Sequence, residues 1–239
     1  MITLIKDKGN MSTPTRKVHH GGKNFIGLFP SIKMKKMITF ESLLERDLIY
    51  LLEYDANVMD FTEQPLTIPM NISGRRQQYT PDFLVNKYAE STLLEVKPIR
   101  FVEEFENSIK CEFIKDYCKE HSWNYHIVTE RDIRRSPQLE NVKLLTQYAR
   151  HPADPYIDAG IIAGLLKQPA GMSLKDILKA LNGSSRGEIV ASVFRLAFHH
   201  QISLPLDSSP INLDTTCAIE QPGTNLNMDS FLITNLETQ

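Results

Sequence analysis

Two neighbouring segments of the chain read Tyr79-Thr-Pro-Asp82-Phe-Leu-Val85 and Leu93-Leu-Glu95-Val-Lys97-Pro98. Each contains a short apolar run bounded by polar residues, so the sequence predicts two strands, at 78–86 and 92–97, joined by a polar turn. A connection of that length makes the two strands antiparallel neighbours. The segments therefore predict a β-hairpin in the core of the fold.

Three charged side chains of this hairpin are expected to converge. Glu95 and Lys97 are two residues apart and should point to the same face of their strand, while Val96 should point into the core. Asp82 lies on the preceding strand and should return beside Glu95. Carboxylates combined with waters and a substrate phosphate are the ligands with which proteins hold Mg²⁺. The spacing thus predicts a magnesium site for phosphodiester cleavage, in which Lys97 orients the attacking water or offsets charge on the phosphoryl oxygens.

The alternative is a strand pair whose charged residues are solvated on the surface, since such spacings also arise by chance. The flanking residues Phe83 to Val85 and Leu93-Leu94 are apolar. They favour core strands, in which ionised side chains are rarely left without a partner.

A fourth charged residue, Glu45, lies in a helix predicted from Glu41 to Tyr54, for which Thr39 is a suitable N-cap. Glu45 shares a helix face with apolar residues such as Leu48. A carboxylate on that face needs a partner, and the residues leave two candidates open: a metal ion or Lys97.

The order of the predicted elements indicates two folded parts. A helix, several strands, a second helix at 101–120 and another strand from Asn124 indicate an α/β core. After a linker near Arg150 the sequence predicts helices at 156–166, 173–181 and 186–202, followed by strands 202–206 and 210–213 paired across a turn, which is typical of a winged helix. We therefore predict four segments: a basic flexible arm at 1–36, the α/β domain at 37–150, the winged-helix-like domain at 151–219 and a mobile acidic tail at 220–239.

Charge is unevenly distributed along the chain, although the formal net charge is only −2. The basic N-terminal arm suits a DNA phosphate backbone, with a merely solvated tail as the alternative. The candidate DNA-contacting residues are Lys23, Lys33, Lys35, Lys36, Arg75 and Arg76. The third C-terminal helix, by contrast, carries few basic groups, so it favours protein docking over DNA recognition.

Other features narrow the class of protein. The three cysteines, Cys111, Cys118 and Cys217, include no C-x-x-C pair and are expected to be reduced core or surface residues, not a zinc site. No apolar run approaches the ~20 residues needed to cross a membrane. We therefore expect a cytoplasmic protein with no membrane partner.

Taken together, the motifs resemble the TnsA endonuclease family, the subunits of heteromeric TnsA/TnsB transposases that cut the 5′ ends of a transposon. A lead-in at 23–34 resembles in particular the members carried by CRISPR-associated transposons. The similarity extends from about Lys23 to Ile219, and its motifs occur together and in order: Phe40-Glu-Ser-Leu-Leu-Glu45-Arg-Asp47, Val58 to Pro65, Tyr79-Thr-Pro-Asp82-Phe83 and Glu95-Val-Lys97-Pro98.

The resemblance implies a fold, a reaction and partners. The fold would be a restriction-endonuclease-like core, a mixed sheet flanked by helices, with a winged-helix-like α+β domain after it. Glu45, Asp82 and Lys97 match the family's catalytic acid, acid and lysine. Glu95 matches a position that is Gln in some members, and we keep it as a metal ligand beside Glu45 and Asp82. Mg²⁺ would be the cofactor, with Mn²⁺ able to substitute.

The implied function is cleavage of the 5′ (non-transferred) strands at transposon-end DNA during cut-and-paste transposition. The implied partners are the TnsB transposase and the AAA+ regulator TnsC, the latter bound through the C-terminal region. Two alternatives stay open: a stand-alone restriction or repair endonuclease, and an assembly adaptor with an inactive nuclease core. The first would cut DNA alone with Mg²⁺, and the second would not cut at all.

Overall fold

The structure, a computed structural model, describes residues 26–72 and 74–219. Lys23, most of the predicted arm and the predicted acidic tail lie outside the described residues. By contacts the chain divides into two compact units, whose described residues are 26–45 with 58–127, and 46–57 with 128–219. We call these unit 1 and unit 2. The predicted domain limits, 37–150 and 151–219, stay predictions.

Unit 1 contains most of the strands. They pair as two hairpins and one four-stranded sheet. The elements in chain order are β1 (Gly27–Pro30), β2 (Met37–Phe40), the start of α1 (Leu43–Tyr54), β3 (Val58–Glu63), β4 (Ile68–Ile72), β5 (Arg75–Tyr79), β6 (Phe83–Lys87), β7 (Ser91–Val96), a 3-10 turn (Ile99–Phe101), α2 (Val102–Glu106), α3 (Ile109–Glu120) and β8 (Asn124–Val128).

The main sheet has the strand order β3-β6-β7-β8. β6 pairs antiparallel with both β3 and β7, so the predicted hairpin of β6 and β7 is confirmed, with Phe83 opposite Leu94. The connection from β7 to β8 passes through α2 and α3, and the result is a mixed sheet flanked by helices, an α/β arrangement. Leu84 and Leu93 of the sheet pack in one core with Ile114 of α3.

The strand predicted at 78–86 is in fact two strands with different partners. β5 ends at Tyr79, which pairs with Ile68 of β4, whereas β6 begins at Phe83 within the main sheet. Between them lies Thr80-Pro81-Asp82, and a proline has no N–H for a strand ladder. Asp82 therefore lies just before β6 and not within a strand. The candidate DNA-contacting residues Arg75 and Arg76 belong to β5.

Two other local predictions in unit 1 are wrong. Thr39 lies in β2 and does not cap α1; the hydroxyl of Ser42 accepts the Glu45 N–H instead, at 3.1 Å. The helix predicted at 101–120 is broken at Ser108, whose hydroxyl caps α3 by accepting the Cys111 N–H. A serine side chain that satisfies a helix N-terminus competes with continuation of the preceding helix.

The last ten residues of the predicted arm also differ from expectation. β1 pairs antiparallel with β2, so residues from Gly27 onward belong to a hairpin. The turn between these strands is closed by Ser31, whose hydroxyl accepts the Met34 N–H at 2.8 Å and whose N–H donates to the Lys36 carbonyl at 3.0 Å.

Unit 2 contains the rest of α1 and a mainly helical part. Its further elements are α4 (Glu130–Ile133), α5 (Gln138–Tyr148), α6 (Pro155–Leu166), β9 (Met172–Ser173), α7 (Leu174–Ala180), α8 (Arg186–Phe198), β10 (Ile202–Ser203) and β11 (Thr216–Ile219). The three predicted C-terminal helices are present, and Ser173 caps α7 by accepting the Asp176 N–H. The winged-helix assignment itself stays a prediction.

The predicted wing pairing is wrong. β10 pairs with β11 and not with residues 210–213, and β11 also pairs with β9. The cause is Asn141 of α5, a buried side chain whose amide donates to the carbonyls of Leu206 and Ser209 and accepts the Ile211 N–H. These hydrogen bonds hold the segment after β10 around Asn141, so that it cannot form a strand.

A buried ionic cluster holds unit 2 around the side chain of Asp47. The carboxylate accepts from Arg134 at 2.8 Å, from Lys143 at 2.6 Å and from Arg46 at 3.1 Å. Burial alone would raise the pKa of Asp47, but the hydrogen bonds from these cations outweigh it and lower that pKa. The cluster satisfies the charge inside the protein and is a structural feature.

The three cysteines and two adjacent histidines occupy structural positions. The three cysteines are buried and reduced, as predicted for core residues. His199 and His200 donate to the carbonyls of Ala149 and Tyr54 and therefore serve the backbone. In the described part of the chain, no helix has the length and apolar character of a membrane span.

Candidate active site

The predicted site residues lie in unit 1, around the end of β7. Asp82 precedes β6 and reaches across to the neighbouring strand, where its Oδ2 accepts the Val96 N–H at 2.6 Å. This contact brings the Asp82 carboxylate beside Glu95, as the predicted hairpin requires. The main chain of Asp82 is held as well, because its carbonyl accepts the Gln64 N–H at 2.8 Å.

Glu95 is the buried member of the site, with 7% of its surface exposed. It accepts a hydrogen bond from the Tyr79 hydroxyl, and its Oε1 lies 3.0 Å from the Lys97 Nζ. Glu95 and Lys97 therefore project together, as predicted. The inward direction predicted for Val96 is wrong, because Val96 is half-buried while Glu95 is buried. The Glu95 carboxylate can be buried because Tyr79 and Lys97 are its partners.

Lys97 is held at its other side by an aromatic ring. Its Nζ lies 4.4 Å from the centroid of Phe105, and the Nζ of Lys110 lies 4.5 Å from the centroid of Tyr79. Contacts of this kind attract an ammonium group to the face of the ring. The ammonium of Lys97 is thus fixed between the Glu95 carboxylate and Phe105.

Glu45 lies in the first turn of α1, and its contacts there are local. Its Oε2 accepts the Glu41 N–H at 2.8 Å, and its own N–H donates to Ser42. The ion pair of Lys97 is made with Glu95, so the alternative in which Lys97 neutralises Glu45 is not what the structure shows. Glu45 therefore has a helix-capping role, and Ser42-Leu-Leu-Glu45 has the S-x-x-E form of a capping box.

The three carboxylates influence one another electrostatically. Burial, followed by the charges of Glu95 and Glu45, raises the pKa of Asp82 well above its ordinary value of 3.8. Burial, followed by the charges of Glu41 and Glu95, raises the pKa of Glu45 above 4.5. Like charges in one site favour protonation or the arrival of a cation.

These residues offer oxygen donors of the kind that Mg²⁺ prefers. Within residues 26–72 and 74–219, no three His, Cys, Asp or Glu side chains are grouped closely enough to form a ready-made metal cluster. Mg²⁺ is usually held by one or two carboxylates, with waters and substrate phosphate completing its shell. Asp82 and Glu95 fit that requirement chemically, and Glu45 is the further carboxylate whose charge reaches both.

Two residues that hold the site, Tyr79 and Gln64, are not among the predicted site residues. The Tyr79 hydroxyl donates to Glu95, and burial followed by the Glu95 charge raises the pKa of Tyr79. Gln64 holds Asp82 by donating its N–H to the Asp82 carbonyl. Its side chain also donates to Glu41 at 2.9 Å, and its backbone has a φ of 45°. That positive φ was the feature no sequence pattern indicated.

The predicted DNA-contacting residues are placed differently from one another. Lys36 forms an ion pair with the buried Glu63 at 3.1 Å, so it neutralises an acid of β3. Lys33 is half-buried and Lys35 is exposed in the β1–β2 turn. Arg75 and Arg76 are exposed on β5. Their proposed contact with DNA stays a prediction.

We expect Glu45→Gln to reduce metal-dependent DNA cleavage by about a hundredfold or more, because it removes a carboxylate from the site. The fold should survive, since the glutamine oxygen can still accept the Glu41 N–H. Cleavage rates and thermal unfolding of the same preparations test this. Ser42→Ala is the control: it should cost about 1 kcal/mol of stability through the lost cap but keep cleavage. Loss of folding in Glu45→Gln, with no separate effect on cleavage, would favour a purely structural Glu45.

The raised pKa values of Asp82 and Glu45 predict how the metal-free protein responds to pH. Because the folded protein holds these protons more tightly than the unfolded chain, stability should fall as pH rises above the ordinary values of 3.8 and 4.5. The lowered pKa of Asp47 acts oppositely, and its contribution is lost as pH falls below 3.8.

Denaturant unfolding in EDTA across this pH range measures the effect. Asp82→Asn should flatten the slope above the ordinary carboxyl range, and Mg²⁺ should stabilise the wild type more at higher pH. An identical slope in wild type and Asp82→Asn would contradict the assigned pKa shift.

Comparison with known families gives one match, most of which lies in unit 1. Residues 55–130 match the family model described as TnsA-like endonuclease N terminal. The matched segment includes Asp82, Glu95 and Lys97. No curated protein matches the chain. The match supports a TnsA-like family and a nuclease domain.

Proposed function

We propose that this chain is a Mg²⁺-dependent DNA endonuclease that cleaves the 5′ (non-transferred) strands at transposon ends in cut-and-paste transposition. The observation that carries the proposal is the grouping of Asp82, Glu95 and Lys97 within the segment that matches the TnsA-like endonuclease model. The mutual repulsion of Asp82, Glu95 and Glu45 supports a divalent cation at the same place.

Each residue has a role that follows from its contacts. When bound, Mg²⁺ polarises the scissile phosphate and lowers the pKa of the attacking water. Asp82 and Glu95 would hold it, with Glu45 as the third carboxylate, and Mn²⁺ should substitute because it takes the same oxygen ligands. Lys97 presents a fixed ammonium that stabilises charge on the phosphoryl oxygens. Tyr79 holds Glu95 by donating its hydroxyl, which its raised pKa keeps protonated.

We further propose that the C-terminal region docks a protein partner, the AAA+ regulator TnsC, while TnsB recognises the DNA ends. Helix α8 contains two arginines, and one of them, Arg195, is buried against Asp158 at 2.5 Å. Arg186 is exposed next to the exposed Glu188, which lies 3.0 Å from His151. This low positive charge supports protein docking over contact with DNA phosphates.

The deciding experiment is strand cleavage on DNA that carries both transposon ends. We expect the 5′ strands to be cut with Mg²⁺ or Mn²⁺ when TnsB and TnsC are present, and little cutting without TnsB or with EDTA. Efficient cutting by the chain alone would favour the stand-alone restriction or repair nuclease. Absence of cutting under every condition would favour the inactive adaptor. The presence of Asp82, Glu95 and Lys97 argues against that alternative.

The lead-in at 23–34 supports an element of the CRISPR-associated type, and neighbouring reading frames test it. We expect genes for a DDE transposase, an AAA+ ATPase and CRISPR effector proteins beside this one. A neighbourhood with a DNA methyltransferase and no transposase would contradict both this origin and the transposition role.

A further inference from the structure

The β4–β5 hairpin packs one face against the core of unit 1 and leaves the other face exposed. It forms a two-stranded sheet separate from the main sheet. At its base Ile68, Met70 and Tyr79 are buried in one core with Ile114 of α3. Beyond that base, all four β5 residues from Arg75 to Gln78 are exposed. The hairpin is therefore anchored through β4, whose Ile72 near the turn also packs against this core, whereas β5 from Arg75 to Gln78 is exposed to solvent.

The strand register separates the two faces of this hairpin. Residues directly opposite each other on paired strands share a face. Asn71 lies opposite Arg76 and Pro69 lies opposite Gln78, and all four are exposed. We call these four residues the open face. The opposite face carries the buried anchors at the base and Arg75 and Gln77 nearer the turn: Ile68↔Tyr79, Met70↔Gln77 and Ile72↔Arg75.

The chemistry of the open face matches the edges of DNA bases. An arginine can bond two acceptors of guanine, and asparagine or glutamine can bond adenine in the same two-point manner. A two-stranded β-ribbon is also narrow enough for the major groove. Asn71, Arg76 and Gln78 supply these groups side by side, and residues 64–81 include no acidic residue that would repel phosphates.

A protein partner fits the same face less well. Protein interfaces are anchored by large apolar or aromatic side chains. The large apolar residues that are exposed in the described chain, such as Leu28 and Tyr88, lie elsewhere, and none lies between 68 and 79. The polarity of the open face and its exposed Arg76 thus favour a nucleic acid over a second protein.

We propose that the open face of the β4–β5 hairpin enters a groove of duplex DNA beside the phosphate that is cut, an inference that rests on the proposed nuclease function. The hairpin is joined directly to the site: Tyr79 ends β5 and donates to Glu95, and Asp82 follows three residues later. Duplex DNA held by the hairpin is therefore placed next to the carboxylates that would act on it.

The experiment compares two double variants that carry the same change in composition. Arg76→Ala with Gln78→Ala removes groups of the open face, whereas Arg75→Ala with Gln77→Ala removes the same residue types from the opposite face. Binding of the full-length protein to a short fluorescent duplex is measured first at about 50 mM salt, where phosphate contacts are strong enough to observe. The measurement is then repeated at higher salt, which weakens those contacts. Both variants should keep the wild-type unfolding temperature, because the exchanged side chains are exposed.

We expect the open-face variant to lose at least about tenfold in affinity and to discriminate less between duplexes of different sequence, with a smaller loss in the control. Equal loss in both variants would overturn the proposal in favour of charge alone. Wild-type affinity in both, or no duplex binding by the wild type, would overturn it as well.

The proposed nuclease function is judged separately, by whether the wild type cuts transposon ends in the presence of TnsB. If the open-face variant cuts transposon ends at the wild-type rate, the nuclease function is unaffected, and the proposed role of the hairpin in DNA recognition is contradicted.

Discussion

Replacing Asp82 by asparagine should lower the rate of DNA cleavage by at least about a thousandfold. A bound metal ion stabilises a phosphoryl transition state by several kcal/mol, and each loss of about 1.4 kcal/mol slows a reaction tenfold. The asparagine oxygen can still accept the Val96 N–H that now bonds to Asp82 at 2.6 Å. The substitution therefore removes the charge and keeps the contact. Single-turnover cleavage of end DNA, in the presence of TnsB and Mg²⁺, measures the effect.

Thermal unfolding separates this result from simple damage to the fold. Asp82 is destabilised in its ionised form by burial and by the charges of Glu95 and Glu45. In EDTA the asparagine variant should unfold at the same temperature as the wild type or higher. In Mg²⁺ the order should reverse, because only the wild type gains from binding the ion. Cleavage at the wild-type rate by the Asp82 variant would refute the proposed mechanism.

Replacing Lys97 by methionine should reduce cleavage by about a hundredfold to a thousandfold, the range found when one group that stabilises transition-state charge is removed. Methionine keeps an unbranched stem near Phe105 but removes the ammonium that lies 3.0 Å from Glu95. The loss of that partner should also cost about 2 kcal/mol of stability, since Glu95 is buried and retains only Tyr79.

Lys110→Met provides the matched control for this prediction. Lys110 also lies over an aromatic ring, 4.5 Å from the centroid of Tyr79. It should therefore lose a ring contact of the same kind and keep most of the cleavage rate. If both methionine variants lost the same fraction of the cleavage rate, the effect of replacing Lys97 would be one of packing. That result would contradict a role of the Lys97 ammonium in the chemistry.

The sequence predicted the parts of unit 1 whose patterns are local. Short apolar runs bounded by polar residues located β6 and β7, and helical spacing located α1. Their order was enough to place Asp82 beside Glu95. The convergence of these charges follows from the two-residue repeat of side-chain direction in a strand and from the short turn between β6 and β7. Both features are visible in the sequence.

The direction of Glu95 could not be predicted in the same way. Strand period gives the relative direction of neighbouring side chains, but which face is buried depends on what covers it. Here Tyr79 and Lys97 accompany Glu95, and Tyr79 arrives from another strand. The ends of elements failed for a related reason: Ser108 starts a new helix where apolar spacing alone continued the old one.

Some of what was missed did carry a signal. Thr129-Glu-Arg-Asp132 has the form of a capping box, and the structure shows both of its hydrogen bonds at the start of α4. That pattern is a sequence signal for the start of a helix at Thr129. The pairing of β11 with β9 had no such signal, since these strands are far apart in sequence and very short.

The three hydrogen bonds of Asn141 also limit how unit 2 can be engineered. They fix the number of residues between Leu206 and Ile211, because one amide group must reach three backbone positions at once. A residue inserted within that interval would move at least one of those positions out of reach. Affinity tags and fusion junctions should therefore be kept out of it, even though most of its side chains are exposed to solvent.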